Sequence, residues 1–203
     1  LPDRQRVMFQ PKSLLLAALL ACCLPLRAEV RLHASFGDHM VLQQQSVTML
    51  RGTAGPGEKV TVRCSWEQDR HSVKAAADGN WQIPLTTPSG GFEPQWIEVK
   101  ERNTVRIDNV LIGEVWLCAG QSNMEMPMRG FPSQPVEGSL AEIAASSKYR
   151  YLRLFDVPHT CADTPQTECG GEWQCCSPER VAMFSAVAYL FGRRLTEALD
   201  MPV

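Results

Sequence analysis

The chain has 203 residues, which is enough for one large domain or two modest ones. Apolar residues make up 44% of it and charged residues 21%, a composition typical of a folded protein. The formal net charge is −2 and no run of Lys or Arg is present, which argues against nucleic acid or an anionic membrane surface as a partner.

The amino-terminal segment resembles an export signal. Arg4, Arg6 and Lys12 supply positive charge ahead of the apolar run "LLLAALLACCL" at 14–24. The sequence "LRA" at 26–28 fits a small-residue cleavage site. We therefore predict a signal peptide over 1–28 and a mature chain that starts near Glu29.

Two details of this segment have alternatives. Met8 is a candidate translation start, and residues 1–7 would then be read-through. Separately, "LLAC" at 19–22 would fit a lipid-anchored protein. The apolar run is too short to span a bilayer, which needs about 20 residues. The predicted location is periplasmic or extracellular, with a lipid anchor as the variant and with no stable membrane span.

Six cysteines follow the signal segment, and four of them fall within sixteen residues. In an oxidising compartment this crowding favours one or two local disulfides. A zinc site is the alternative, but no C-x-x-C pair is present. The spacing does not define the pairing among Cys161, Cys169, Cys175 and Cys176.

Residues 29–110 carry β signals. Short runs rich in β-branched and aromatic residues alternate with turn sequences, and no helical pattern lies between them. This pattern predicts a small antiparallel β-sandwich. The expected strands lie at 47–50, 59–66, 81–85, 95–101 and 104–113.

Residues 111–203 show a different pattern, which predicts an α/β domain. The near-continuous apolar run at 114–119 is typical of a strand buried on both faces of a sheet. A helix is expected at 139–147 and another strand at 149–157. A Cys-rich loop at 158–177 precedes a helix, and a further strand should begin at the final "DMPV". Two strands make too small a sheet, so we expect the domain to be truncated.

The last helix has two candidate starts. Ser177-Pro178 suits a helix start, because proline fits the first helical position, and Ser185 is the rival. Apolar residues recur at three- and four-residue steps, which predicts one buried helix face. That face comprises Val181, Phe184, Ala188, Phe191, Leu195 and Leu199.

The sequence "VWLCAGQSNMEMP" at 115–127 has two interpretations. A serine nucleophile belongs at the carboxyl end of a buried strand and at the start of a helix, where backbone N–H groups can hold an oxyanion. Ser122 fits this placement, although Met124 replaces the second glycine of a G-x-S-x-G elbow. Alternatively, Ser122 only caps a helix.

Several separated motifs resemble the sialate O-acetylesterase family of SGNH-type carbohydrate acetylesterases. "GEVWLCAGQSNMEMPM" at 113–128 resembles the block that holds the family's nucleophile. "FGDHMVLQQQ" at 36–45 and "DGNWQIPL" at 78–85 are similar to its amino-terminal β-domain, and 172–195 resembles a later helical segment. The resemblance implies a β-sandwich followed by the first part of a flavodoxin-like SGNH domain.

The resemblance also implies a chemistry. Ser122 would be the nucleophile and would supply one backbone oxyanion donor, while Gln121 and Asn123 would shape the substrate site. The implied substrates are O-acetylated sialic acids, with no metal or organic cofactor. An acetylxylan or other polysaccharide esterase is the alternative within the class. A non-catalytic carbohydrate-binding protein that uses Trp66, Trp81 and Trp96 is the alternative outside it.

The general base is not evident. In the family it is the histidine of an Asp-x-x-His block near the carboxyl end, and Asp156 to His159 formally matches that spacing. This match follows Ser122 too closely in the chain, so we predict that His159 is a surface residue. We expect His33, His39 and His71 to be structural as well. Without a base, this chain alone is expected to be inactive.

Overall fold

The computed structural model describes residues 29–203, so the predicted signal peptide at 1–28 lies outside the described residues. Strands dominate the first half of this part and helices the second. The strands are β1 Arg31–Leu32, β2 Val41–Gln43, β3 Val47–Thr53, β4 Lys59–Cys64, β5 Arg70–Lys74, β6 Asn80–Thr86, β7 Gly91–Lys100, β8 Thr104–Gly113, β9 Arg153–Phe155 and β10 Trp173–Cys175. The helices are α1 Ser122–Glu125, α2 Ser139–Ala145, a 3-10 turn Ser146–Lys148, α3 Pro178–Met183 and α4 Ala186–Leu199.

Two sheets share one apolar core in the first half. One sheet has the order β1-β3-β6 and the other β2-β8-β7-β4-β5. Strand β6 alternates buried and exposed residues, as a strand with one face on a core should. Leu50 and Leu85 of the smaller sheet and Val62, Val99 and Ile107 of the larger one belong to the same buried cluster.

The prediction of a purely antiparallel arrangement is wrong at β2, because this strand pairs with β8 in parallel. The short strand β1 and the strand β5 were also not predicted. Strand β1 has only two residues, and β5 ("RHSVK") buries none of its residues fully. Neither strand carries a hydrophobic signal strong enough to be read from sequence.

The second half has its own core, formed where helices pack on the backbone around β9. Met128, Leu152, Val181, Tyr189 and Val203 are buried in one cluster. Burial raises the pKa of the Tyr189 hydroxyl still further above neutral pH.

The carboxyl-terminal backbone joins this core to the end of β8. Arg153 N–H donates to Val203 O at 2.8 Å, and Glu114 N–H donates to Pro202 O at 3.0 Å. Residues 202–203 therefore lie between β9 and the segment that follows β8. The strand expected at "DMPV" is not formed, since none of residues 200–203 is assigned to a strand.

The segment at 114–119 corrects the sequence prediction. It forms no strand, and the exposed fractions of Trp116 and Leu117 are 54% and 90%. A buried strand needs partners for its N–H and C=O groups, and no described strand pairs with this one. Its one aromatic contact is an edge-to-face packing of Trp116 on Phe191, with ring centroids 5.2 Å apart.

Both candidate starts of the last helix are used, because the predicted helix is two helices. Ser177 caps α3, where its hydroxyl accepts from Arg180 N–H at 3.4 Å. Ser185 caps α4, where its hydroxyl accepts from Ala188 N–H at 3.3 Å. Phe184, with extended backbone, lies between them.

The break at Phe184 changes which residues of the following helix are buried. Tyr189 and Gly192 are buried in α4, whereas the exposed fractions of Phe191 and Leu199 are 38% and 46%. The predicted apolar face is therefore right at Val181 and Ala188 but wrong at Phe191 and Leu199. None of the described helices combines the length and apolarity that crossing a bilayer requires.

Candidate active site

Ser122 is the first residue of α1, a single helical turn. The residue in the capping position is Gln121, and its side chain makes no capping hydrogen bond. The alternative interpretation, that the Ser122 hydroxyl serves as the helix cap, is therefore not supported. The side chain is exposed, and no hydrogen bond of its hydroxyl is present among residues 29–203. The hydroxyl is free to meet another molecule.

The backbone on the carboxyl side of Ser122 is held firmly by the start of α4. Met126 O accepts from Ala186 N–H at 2.8 Å, and Met128 N–H donates to Phe184 O at 2.9 Å. Met128 is fully buried below these bonds. These backbone bonds and the buried side chain of Met128 thus fix where α1 ends.

Glutamines of the β-domain hold the amino-terminal approach to Ser122. Gln43 and Gln44 donate from Nε2 to the Glu114 carboxylate, at 3.2 and 2.9 Å. Gln43 Oε1 also accepts from Val115 N–H at 2.9 Å. These glutamines lie in the "LQQQ" part of 36–45, a segment that carries the family resemblance but no sign of this contact. Their function is to fix the direction in which the chain leaves β8.

A cavity of about 710 Å³ opens beside Ser122. This volume lies within the range of small-molecule sites. Its wall includes Gln121, Phe155, Trp173 and Phe191, and it also includes much of the exposed segment 114–120. Asn123 does not line it, so of the two predicted neighbours of the nucleophile only Gln121 faces the cavity.

His159 lines the same cavity as Ser122. Its Nδ1 lies 3.6 Å from Glu125 Oε1, and its side chain is 78% exposed. No hydrogen bond joins His159 to Ser122 within the described chain. The histidine of the formal Asp-x-x-His match thus shares a cavity with Ser122, but it does not make the hydrogen bond to the serine that a general base makes.

The other singled-out side chains have structural contacts. His33 is buried, and its Nε2 lies 2.9 Å from Thr167 O, which joins the Cys-rich loop to the β-domain. His71 pairs with Glu67 at 2.8 Å. Trp81 lies in the core, while Arg106 and Arg63 lie over the ring of Trp96. Stacking of these tryptophans on a sugar ring is therefore not favoured.

The cysteines do not form the expected local disulfides in the described chain. All six between 29 and 203 are free thiols. Burial raises the pKa of Cys64, and the nearby Glu67 adds to that shift. No cluster of three or more His, Cys, Asp or Glu side chains suited to a metal ion is found in the part that the structure describes.

The fold is similar to that of a carbohydrate acetylesterase of known structure. A solved carbohydrate acetylesterase from Xanthomonas citri superposes with a TM-score of 0.78 and 30% identity. The match covers 85% of this chain and 38% of that chain. No family model matches the sequence.

Sequence comparison finds sialate O-acetylesterases among the relatives of the chain. The chain is 30% identical to the sialate O-acetylesterase of Pongo abelii and 31% identical to that of Mus musculus. These alignments cover 85% and 84% of this chain, but only 35% and 34% of the relatives. The chain is thus similar to sialate O-acetylesterases over most of its own length, and it spans about a third of the length of the curated relatives it matches.

Proposed function

We propose that the protein hydrolyses acetyl esters on carbohydrates and that Ser122 is the nucleophile. The observation that carries this proposal is the free Ser122 hydroxyl at the wall of the 710 Å³ cavity. Both ends of the surrounding backbone are anchored, although the serine itself makes no structural bond. A serine with an unbonded hydroxyl on an anchored backbone fits a catalytic role better than a stabilising one.

The reaction follows from serine chemistry. Ser122 Oγ bonds to the acetyl carbon, its proton passes to a base, and the sugar oxygen leaves with a proton. Water then releases acetate and regenerates the serine. The Ser122 N–H belongs to the first turn of a helix, where amides have no intrahelical acceptor, so it serves as an oxyanion donor. Gln121 forms part of the wall of the substrate cavity, and Asn123 shapes the turn that carries Ser122.

The general base is expected from an Asp-x-x-His block rather than from His159. This assignment rests on the family resemblance and on the missing contact between His159 and Ser122. Since the chain spans about 35% of its relatives, the proposal concerns the activity of the complete gene product.

O-acetylated sialic acids are the proposed substrates, because the curated relatives are named for that activity. The underlying fold is interpreted as a β-sandwich over 29–110 joined to an SGNH-type α/β region over 111–203. Two sheets around one core and the match to a carbohydrate acetylesterase support that interpretation. Export remains a proposal that rests on the sequence of 1–28.

The test compares the complete gene product with its Ser122→Ala variant on 9-O-acetylated sialic acid and on acetylated xylan. We expect Ser122→Ala to lower kcat/KM by at least about a thousandfold, since removal of a nucleophile abolishes the covalent route. Faster turnover of the sialic acid supports the proposed substrate, and faster turnover of xylan favours the polysaccharide alternative.

A matched control uses Ser147→Ala, because Ser147 is exposed and lies outside the cavity wall. This variant should keep the parent activity. Equal turnover by the parent and Ser122→Ala would rule out Ser122 as the nucleophile. Absence of any esterase activity in the parent would favour a non-catalytic carbohydrate-binding protein.

A further inference from the structure

A second, smaller cavity adjoins the cavity at Ser122. Its volume is about 280 Å³, just below the range of drug-sized sites, which suits a ligand the size of one sugar ring. Its wall has Leu154, Asp156 and Phe184 in common with the cavity at Ser122. We call the smaller space the side cavity, and a ligand held at Ser122 has it as its neighbour.

The side cavity combines apolar and polar groups. Leu154 is buried and Phe184 is half-buried, and these two side chains give the cavity an apolar part. Gln174 stands opposite Leu154 in the register of β9 and β10, so their side chains lie on the same face of the strand pair. The Gln174 amide donates to Glu172 Oε1 at 2.9 Å, so its carbonyl oxygen is left as an acceptor. A sugar ring, with C–H groups on its faces and hydroxyl groups at its edge, matches this mixture.

The exposed rim of the side cavity is charged. Asp156, which directly follows β9, and Glu179 and Arg180 of α3 all line the cavity and are exposed. Within residues 29–203, none of the three forms an ion pair. Their carboxylate and guanidinium groups are therefore available to hydrogen-bond a ligand.

We propose that the side cavity is a second sugar subsite, which binds a neutral sugar unit joined to the acetylated sugar at Ser122. The carboxylates accept hydrogen bonds from sugar hydroxyl groups, and the guanidinium donates to hydroxyl and ring oxygens. This inference rests on the proposed carbohydrate esterase function. It adds the part of the substrate that lies beyond the acetylated ring.

The charge of the rim favours a neutral sugar over an acidic one. The carboxylates of Asp156 and Glu179 outnumber the guanidinium of Arg180, so the rim carries a net negative charge. A sugar that bears a carboxylate would meet like charge there, and like-charge contacts select against a ligand. A neutral ring meets only hydrogen-bonding partners.

Binding is measured without catalysis in the complete gene product that carries Ser122→Ala. NMR titrations with lactose, a neutral disaccharide, and with digalacturonate, an acidic one, give the two dissociation constants. We expect lactose to bind about tenfold more tightly than digalacturonate. Arg180→Met in the same background should weaken lactose binding about tenfold, as the loss of a hydrogen bond to a charged group does.

Turnover shows whether the substrate reaches the side cavity. The two substrates are 9-O-acetylated sialyllactose, in which a neutral disaccharide is joined to the acetylated sugar, and free 9-O-acetylated sialic acid. We expect the parent to prefer the first about tenfold in kcat/KM. Arg180→Met and Gln174→Ala should each lower this preference through KM rather than kcat, because contacts far from the reacting ester bind the ground state and the transition state alike.

The matched control is Arg129→Met. Arg129 is exposed and lines neither cavity, so this variant should keep the parent's lactose affinity and substrate preference. Arg180→Met itself should leave α3 intact, because the backbone N–H of Arg180, not its side chain, bonds to the capping Ser177.

The outcomes separate this proposal from the proposed function. Absence of turnover of both acetyl esters defeats the esterase proposal, and lactose binding then decides the subsite alone. Lactose affinity that is equal in the Ser122→Ala protein with and without Arg180→Met overturns the subsite. So does a substrate preference that neither Arg180→Met nor Gln174→Ala lowers. Tighter binding of digalacturonate than of lactose overturns the assignment to a neutral sugar.

Discussion

The hydroxyl of Ser185 lies 3.4 Å from the sulfur of Met124, within the single turn that Ser122 opens. The same hydroxyl accepts from Ala188 N–H and so caps α4. One residue thus joins the start of a long helix to the corner at Ser122. The position of the candidate nucleophile depends on this junction as well as on the backbone bonds to Met126.

Ser185→Ala should destabilise the chain by about 1 kcal/mol, since loss of a helix cap costs about that much. The free energy of unfolding, measured by urea denaturation of the parent and the variant, checks this value. Ser147→Ala is the matched control, because this exposed serine caps neither of the two helices. Equal losses in both variants would argue against a specific capping role for Ser185.

Ser122→Ala, by contrast, should leave the free energy of unfolding nearly unchanged. Its side chain is exposed and makes no bond within the described chain, so the change in unfolding free energy should stay within about 0.5 kcal/mol. The same urea titration measures it. A loss comparable to that of Ser185→Ala would return Ser122 to the role of a helix cap and weaken the catalytic proposal.

The β half of the fold could be predicted because its signals are local. Trp81, Ile83 and Leu85 alternate with polar residues along β6, and all three are buried in the structure. Turn sequences on either side set its limits. Such a strand shows its buried face within a few residues, whichever strand lies beside it.

The turn that carries Ser122 could be predicted only in part, because residues far away in the sequence form its surroundings. Gln43 and Gln44 fix the chain direction across about 70 residues of sequence. The apolar run at 114–119 predicted burial, but burial of a strand depends on neighbouring strands, and none is described there. The break at Phe184 was also hidden, because helical periodicity continues across it.

His159→Ala should leave esterase activity of the complete gene product within about twofold of the parent. Within the described chain His159 makes no hydrogen bond to Ser122, and its 3.6 Å contact with Glu125 lies in solvent, where even a charged pair is worth only about 0 to 1 kcal/mol. Initial rates on an acetyl ester test this expectation. A loss of several hundredfold in a variant that still folds would identify His159 as the base.

Leu117→Ala and Leu50→Ala form a matched pair that tests where the core lies. Leu50 is fully buried between the two sheets, so its truncation should cost about 2 to 5 kcal/mol. Leu117 is 90% exposed, so its truncation in this 203-residue chain should cost less than about 0.5 kcal/mol. Urea denaturation of both variants measures the difference. A large cost at Leu117 would mean that the segment at 114–119 is buried in solution, as its apolar sequence predicts and the structure does not show.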